Sequence, residues 1–165
     1  EYLMNFLESG LYELAGLFLA PVLVMILLCL LYAFASLGGF AVEWWQRRRQ
    51  RAQPVLRQRH ASHGGTADDL ELWIMHRLEL LRIVSRTAPM LGLIATMIPM
   101  GPALLALGGG NAAGVGENLV TAFSAVILAL IAASITFFIL TVRRRWLLQE
   151  LRELERQGLL VMQEA

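Results

Sequence analysis

The chain has 165 residues, 57% of them hydrophobic, with a mean hydropathy of +0.58. Most of it is therefore expected inside a membrane, with little left for a soluble catalytic domain. Cys29 is the one cysteine, which excludes a disulfide framework and a cysteine metal cluster, and the net charge of +1 matters less than the placement of the 14 basic residues, all of them Arg.

In chain order, residues 1–13 carry Glu1, Glu8 and Glu13 and no basic residue, a poor match to a secretory signal. The first residue is Glu rather than Met, so further residues are expected upstream of it. Residues 14–42 are uncharged, roughly 29 in number, and read as a first transmembrane helix that tilts or extends into the interface. Residues 43–86 form a polar segment. Within it, Thr66-Ala-Asp-Asp69 resembles a capping box and opens a helix on which Leu70, Ile74, Leu78, Leu81 and Val84 recur at helical spacing. That helix is expected to run into the second span, broken or bent near Pro89.

Residues 87–107 and 119–142 are each roughly 20 residues or more, enough at about 1.5 Å per residue to cross a hydrocarbon core of about 30 Å. Neither carries an ionisable side chain, yet Thr96, Thr121, Ser124, Ser134 and Thr136 keep hydroxyls inside. Residues 108–118 read as a Gly-rich loop between the two spans. Residues 143–165 read as a C-terminal helix, with Leu147, Leu151 and Leu154 as an apolar stripe among charges. The fold class is thus all-α, with three transmembrane helices and helical extensions outside the membrane.

The arginines fall between Arg47 and Arg86 and between Arg143 and Arg156, and neither the N-terminal segment nor the 108–118 loop has one. The positive-inside rule puts the 43–86 and 143–165 segments in the cytoplasm, and the N-terminus and the loop outside. Trp44, Trp45 and Trp146 flank the basic clusters as interfacial anchors do. Topology accounts for the arginines, so no nucleic-acid partner is expected. His60-x-x-His63 is a weak metal pattern in what reads as a solvated linker, RQRHASHGG; no metal and no cofactor is expected. With no nucleophile–base pair and no P-loop, the chain is not expected to be an enzyme.

Ala122, Ala125, Ala129 and Ala132 make a small-residue face for close helix packing. Glu117 is expected at the N-terminus of the third span, where a carboxylate favours the helix dipole.

The run TAPMLGLIATMIPMGPALLAL resembles the second-span motif of the MotA/TolQ/ExbB proton-channel family, and ENLVTAFSAVILALIAASITFFI resembles its third span. The resemblance covers roughly residues 85–142. It implies a homopentameric ring in the bacterial inner membrane, with second and third helices around a pore. Inside that pore would sit helices of a single-span partner that carry an ion-accepting aspartate. It also implies that Thr96 matches the motif threonine and is the first ion-path candidate, and that Gly92 and Gly101 match second-span glycines where helices pack.

The sequence departs from the family in places. Ala95 replaces a glycine, and Ser124-Ala125-Val126-Ile127-Leu128-Ala129-Leu130 stands where the family has two threonines and a glycine after the serine. Fewer hydroxyls raise the barrier to a desolvated ion, while Thr121 and Ser124, one turn apart, are left as possible substitutes. The leading expectation is a ring subunit of an ion-driven motor that energises a partner or transport process. The alternative is a non-conducting scaffold that keeps the ring fold.

Overall fold

In the computed structural model, residues 1–50 and 54–158 are described. Expectations for residues 51–53, inside the 43–86 segment, and for 159–165, the end of the C-terminal helix, lie outside them. The described residues form five helices and no strand: α1 (Tyr2–Leu17), α2 (Leu19–Arg48), α3 (Val55–His63), α4 (Ala67–Gly108) and α5 (Ala112–Arg156). Three stretches, Tyr2–Arg48, Ala67–Gly108 and Ala112–Arg156, are long and apolar enough to cross a membrane.

Prolines act differently in different helices. Pro21 has no N–H to offer the Leu17 carbonyl and its ring crowds that oxygen, and α1 ends at Leu17. Pro89, Pro99 and Pro102 lie inside α4, which runs unbroken, so of the break or bend expected near Pro89 the break does not occur. The 108–118 segment narrows to a turn of Gly109, Gly110 and Asn111. Gly110 takes φ 71°, a left-handed value that glycine adopts without strain, and α5 begins at Ala112. The RQRHASHGG stretch is helical rather than a linker through His63. It ends at Gly64 (φ 66°), whose N–H donates to the His60 carbonyl at 2.9 Å.

The chain divides into two compact units. The first holds residues 1–34 and 85–134. Its core is made of Val22, Ile26, Ala95, Ala125 and Ala129, with Leu23, Leu91 and Leu128 packed against them. Alanines at intervals of three and four residues give α5 a flat face, and helix backbones approach closely across such a face. Gly92 marks the closest approach. A Cβ there would stand 2.9 Å from the Ala129 Cβ and 3.3 Å from the Val126 Cγ2, so no other residue fits without movement.

The second unit holds residues 35–84 and 135–165. The expected apolar stripes are buried here, Leu70, Ile74, Leu78, Leu81 and Val84 on α4 and Leu147, Leu151 and Leu154 on α5; Leu56 of α3, which belonged to neither, is buried as well. Long-range ion pairs join α2 to α5. Arg143 Nε donates to Glu43 Oε2 at 2.9 Å, and Arg47 Nη2 to Glu150 Oε1 at 2.7 Å. Glu150 Oε2 also accepts the Leu56 N–H at 3.1 Å. Pro54 offers α3 no side-chain cap, so this α5 carboxylate serves the open N-terminus of α3. The Arg47 guanidinium lies 4.5 Å over the Trp146 ring, which stacks on Phe40 at 5.4 Å.

At the start of α4, Thr66 Oγ1 accepts the Asp69 N–H at 3.4 Å while Asp69 Oδ2 accepts the Thr66 N–H at 3.1 Å and its hydroxyl at 3.0 Å. This is the reciprocal box read from the sequence. The Thr66 backbone N–H and then its hydroxyl hold the Asp69 carboxyl below its ordinary value.

Candidate functional site

The first unit carries every ion-path candidate, and α4 and α5 position them. Thr96 is half-buried beside the fully buried Ala95, and its Oγ1 donates to the Leu93 carbonyl at 2.7 Å. Thr121 is exposed and donates to the Glu117 carbonyl at 3.3 Å. Ser134 and Thr141 repeat the pattern, donating at 2.8 Å to Leu130 and Phe137. Donation one turn back is the cheapest way for a hydroxyl to satisfy itself in an apolar setting. It has a chemical consequence. With its hydrogen committed to the backbone, the hydroxyl presents only oxygen lone pairs outward, so Thr96 and Thr121 are acceptors. Such an oxygen suits a cation or a protonated carboxyl, and repels a carboxylate.

Ser124 is exposed, on a different face of α5 from the buried Ala122, Ala125, Ala129 and Ala132. The alanines are thus spent on contacts within the chain, and the serine and Thr121 are presented outward. Gly101 lies against Tyr12 of α1, whose ring carbon would be 3.1 Å from an added Cβ. Thr136, in the second unit, is fully buried. No mid-span carboxylate occurs in α4 or α5.

The same unit contains a cleft of about 510 Å³ that the sequence reading did not anticipate. The α1 residues Tyr12, Glu13 and Gly16 form one wall, Pro99, Gly101 and Pro102 of α4 a second, and Glu117, Asn118 and Thr121 of α5 a third. Glu117 requires a correction. Because residues 112–118 are helical, it sits beyond the first turn of α5 and does not cap it; Asn111 does, its Oδ1 accepting the Gly114 N–H at 3.1 Å. The signal was present in the sequence, since Asn111 is a favoured N-cap residue and precedes Ala112 and Ala113, but the surrounding glycines masked it. Tyr12 and Glu13 were out of reach of sequence reasoning because they meet α4 and α5 only through the fold.

The His60-x-x-His63 pair sits on α3, and His63 Nδ1 is 2.7 Å from Ser62 Oγ. Among the described residues no group of three or more His, Cys, Asp or Glu side chains is placed to hold a metal ion.

No curated protein and no solved structure gave a match to the chain. Residues 52–156, well over half of the sequence, match the MotA/TolQ/ExbB proton channel family. The match takes in the whole of α3, α4 and α5, the helices that carry the candidate hydroxyls and the glycine–alanine contact. This multi-span, all-helical chain belongs to the MotA/TolQ/ExbB proton channel family.

Proposed function

We propose that the chain is a ring subunit of a proton-driven motor in the bacterial inner membrane, energising a partner or a transport process. Five copies would surround helices of a single-span partner, with the N-terminus in the periplasm and the arginine-rich segments in the cytoplasm. The partner would bring the aspartate that this chain lacks in mid-membrane. Thr96, with Thr121 and Ser124, would line the path. Gly92, Gly101 and the alanines of α5 would hold the helices together.

The observation that carries this reading, beyond family membership, is the Thr96 hydroxyl with its hydrogen held by Leu93. That oxygen can accept a hydrogen bond from a protonated aspartate and cannot donate one to an ionised aspartate. It therefore favours the neutral form that travels through the membrane.

The test is proton flux through the complex of this chain with its partner, reconstituted in vesicles. Thr96→Val removes the acceptor at nearly constant shape and should lower flux about tenfold, the kinetic equivalent of one lost hydrogen bond of about 1.4 kcal/mol. Thr96→Ser should retain most of it. Flux indifferent to Thr96→Val removes Thr96 from the path.

One observation favours the second reading, a non-conducting scaffold. The positions of the family's two third-span threonines and glycine are Ala125, Val126 and Ala129 here. Ala125 and Ala129 are core residues, and Val126 and Ala129 are the groups nearest a Cβ built at Gly92. Alkyl groups in a contact within the chain are what a static support needs. Absence of flux in the wild-type complex, with the ring intact, would select this reading.

A further inference from the structure

The cleft of about 510 Å³ belongs to no part of the proposed ion path except at Thr121, and its character differs from that of the helix contacts below it. Most of its wall is apolar, from Ala15, Leu19, Met97, Ile98, Pro99 and Pro102. Glu13 and Glu117 supply the charge. Neither makes an ion pair among the described residues, and no basic residue occurs in 1–46 or 87–142. An apolar cleft with two uncompensated carboxylates asks for a ligand with a cationic head and an apolar body.

The uncharged runs say where the cleft lies. From Glu13 the next charge along the chain is Glu43, roughly 29 residues or about 43 Å of helix away. From Glu117 it is Arg143, after roughly 25 residues or about 37 Å. A bilayer is about 30 Å thick in its hydrocarbon and about 40–45 Å with its headgroups. Glu13 and Glu117 therefore stand at headgroup depth, at the hairpin end of the spans. Around the cleft, α1 is apolar on its open side: Leu3, Leu7, Leu11, Leu14 and Leu17 are all exposed, and none of its residues is buried. That surface continues into the exposed Val24, Leu27, Leu28 and Leu31 of the first span. Lipid thus reaches the cleft from the side.

We propose that the cleft is a binding site for a phospholipid with a primary-ammonium headgroup. The ammonium lies between Glu13 and Glu117, and the upper part of an acyl chain lies along Leu19, Met97 and Ile98. Charge complementarity selects the headgroup, since anionic lipids would meet two like charges. Size selects a lipid over a partner helix. One turn of helix about 10 Å across fills roughly 400 Å³, so the cleft holds little more than a turn, while its volume lies within the ~300–1,000 Å³ usual for small-molecule sites.

The experiment is native mass spectrometry of the full-length chain in its own assembly, titrated with phosphatidylethanolamine, phosphatidylglycerol and N-acetyl-phosphatidylethanolamine of identical acyl chains. Phosphatidylethanolamine should bind about threefold to fivefold tighter than either of the others, the range expected of a charge pair at the water boundary. Glu13→Gln with Glu117→Gln should bring the ratio to about one. Gly16→Leu should lower occupancy by all three lipids, since a Cβ at Gly16 meets nothing within 4 Å and the longer side chain would extend into the cleft. Equal or tighter binding of phosphatidylglycerol by the wild-type chain overturns the proposal without any variant. So does a preference that survives the double substitution. Neither outcome bears on flux through Thr96, so this proposal and the motor reading stand or fall separately.

Discussion

The two units of this chain are built from stretches of the same three long helices by opposite means. In the first, residues 1–34 and 85–134, contacts rest on what is missing: no Cβ at Gly92 and no side chain beyond Cβ at Ala95, Ala125 and Ala129. In the second, residues 35–84 and 135–158, contacts rest on what is added: buried leucines, two long-range ion pairs, a borrowed helix cap and stacked aromatics. The difference is the one expected if most of the first unit lies among lipid tails and most of the second in water. Among lipid tails, burying a leucine gains nothing over leaving it in lipid, so only close van der Waals approach distinguishes bound from separate helices. In water, apolar burial drives association, and polar groups set its geometry.

The sharpest way to break this contrast is at Gly92. Gly92→Leu should abolish the close approach and with it the folded assembly, since backbone as well as side chain of Val126 and Ala129 would have to give. Size-exclusion chromatography in detergent would report the loss. Gly92→Ala paired with Ala129→Gly should recover assembly that Gly92→Ala alone weakens. A chain indifferent to Gly92→Leu would mean that this approach is not what holds the first unit.

Next in size is Leu78→Ala in the second unit, which should cost about 2–5 kcal/mol as an aqueous-type core cavity. The corresponding Leu93→Ala in α4, exposed within the chain, should cost far less unless another subunit covers it. Thermal unfolding of the purified protein would separate the two.

Glu150→Ala follows, at about 2 kcal/mol. It strips the half-buried Arg47 of its partner and returns the Leu56 N–H to an open helix end. Glu150→Gln should recover part of this, because the amide oxygen can still accept the N–H.

The smallest effect is expected at the Thr66–Asp69 box. Thr66→Ala should cost about 1 kcal/mol and fray the start of α4. Since the folded-state pKa of Asp69 is depressed, its contribution is fully present above the ordinary carboxylate value of 3.8 and is lost as pH falls below that through the folded value. The protection of amides 67–70, taken relative to their intrinsic exchange rate at each pH, should therefore fall in acid in the wild type and less so in Thr66→Ala. An equal fall in both would detach the carboxylate from the cap.

Much of the architecture was written in local pattern. Uncharged runs of membrane length, arginines confined to two regions, leucines at helical spacing and the Thr66–Asp69 signal all act within one helix or one turn, so reading them needs no partner. On the small-residue face of α5, Ala129 stands against Gly92, and Ala125 lies with Ala129 in the core of the first unit. The elements missed were those in which local signals misled. Glycines near residue 110 and at 64–65 suggested a longer loop and a linker, yet α5 begins at Ala112 and α3 holds His60 and His63.

Sequence alone determined the three long apolar helical stretches and the family, because each follows from residue type and spacing. Tertiary structure alone decided that Val126 and Ala129 stand against Gly92, that Glu150 reaches Arg47 and the end of α3, and that Glu13 and Glu117 line one cleft. These are meetings of residues roughly 35 to 105 positions apart, set by how helices cross and turn, and no periodicity within a single helix encodes them.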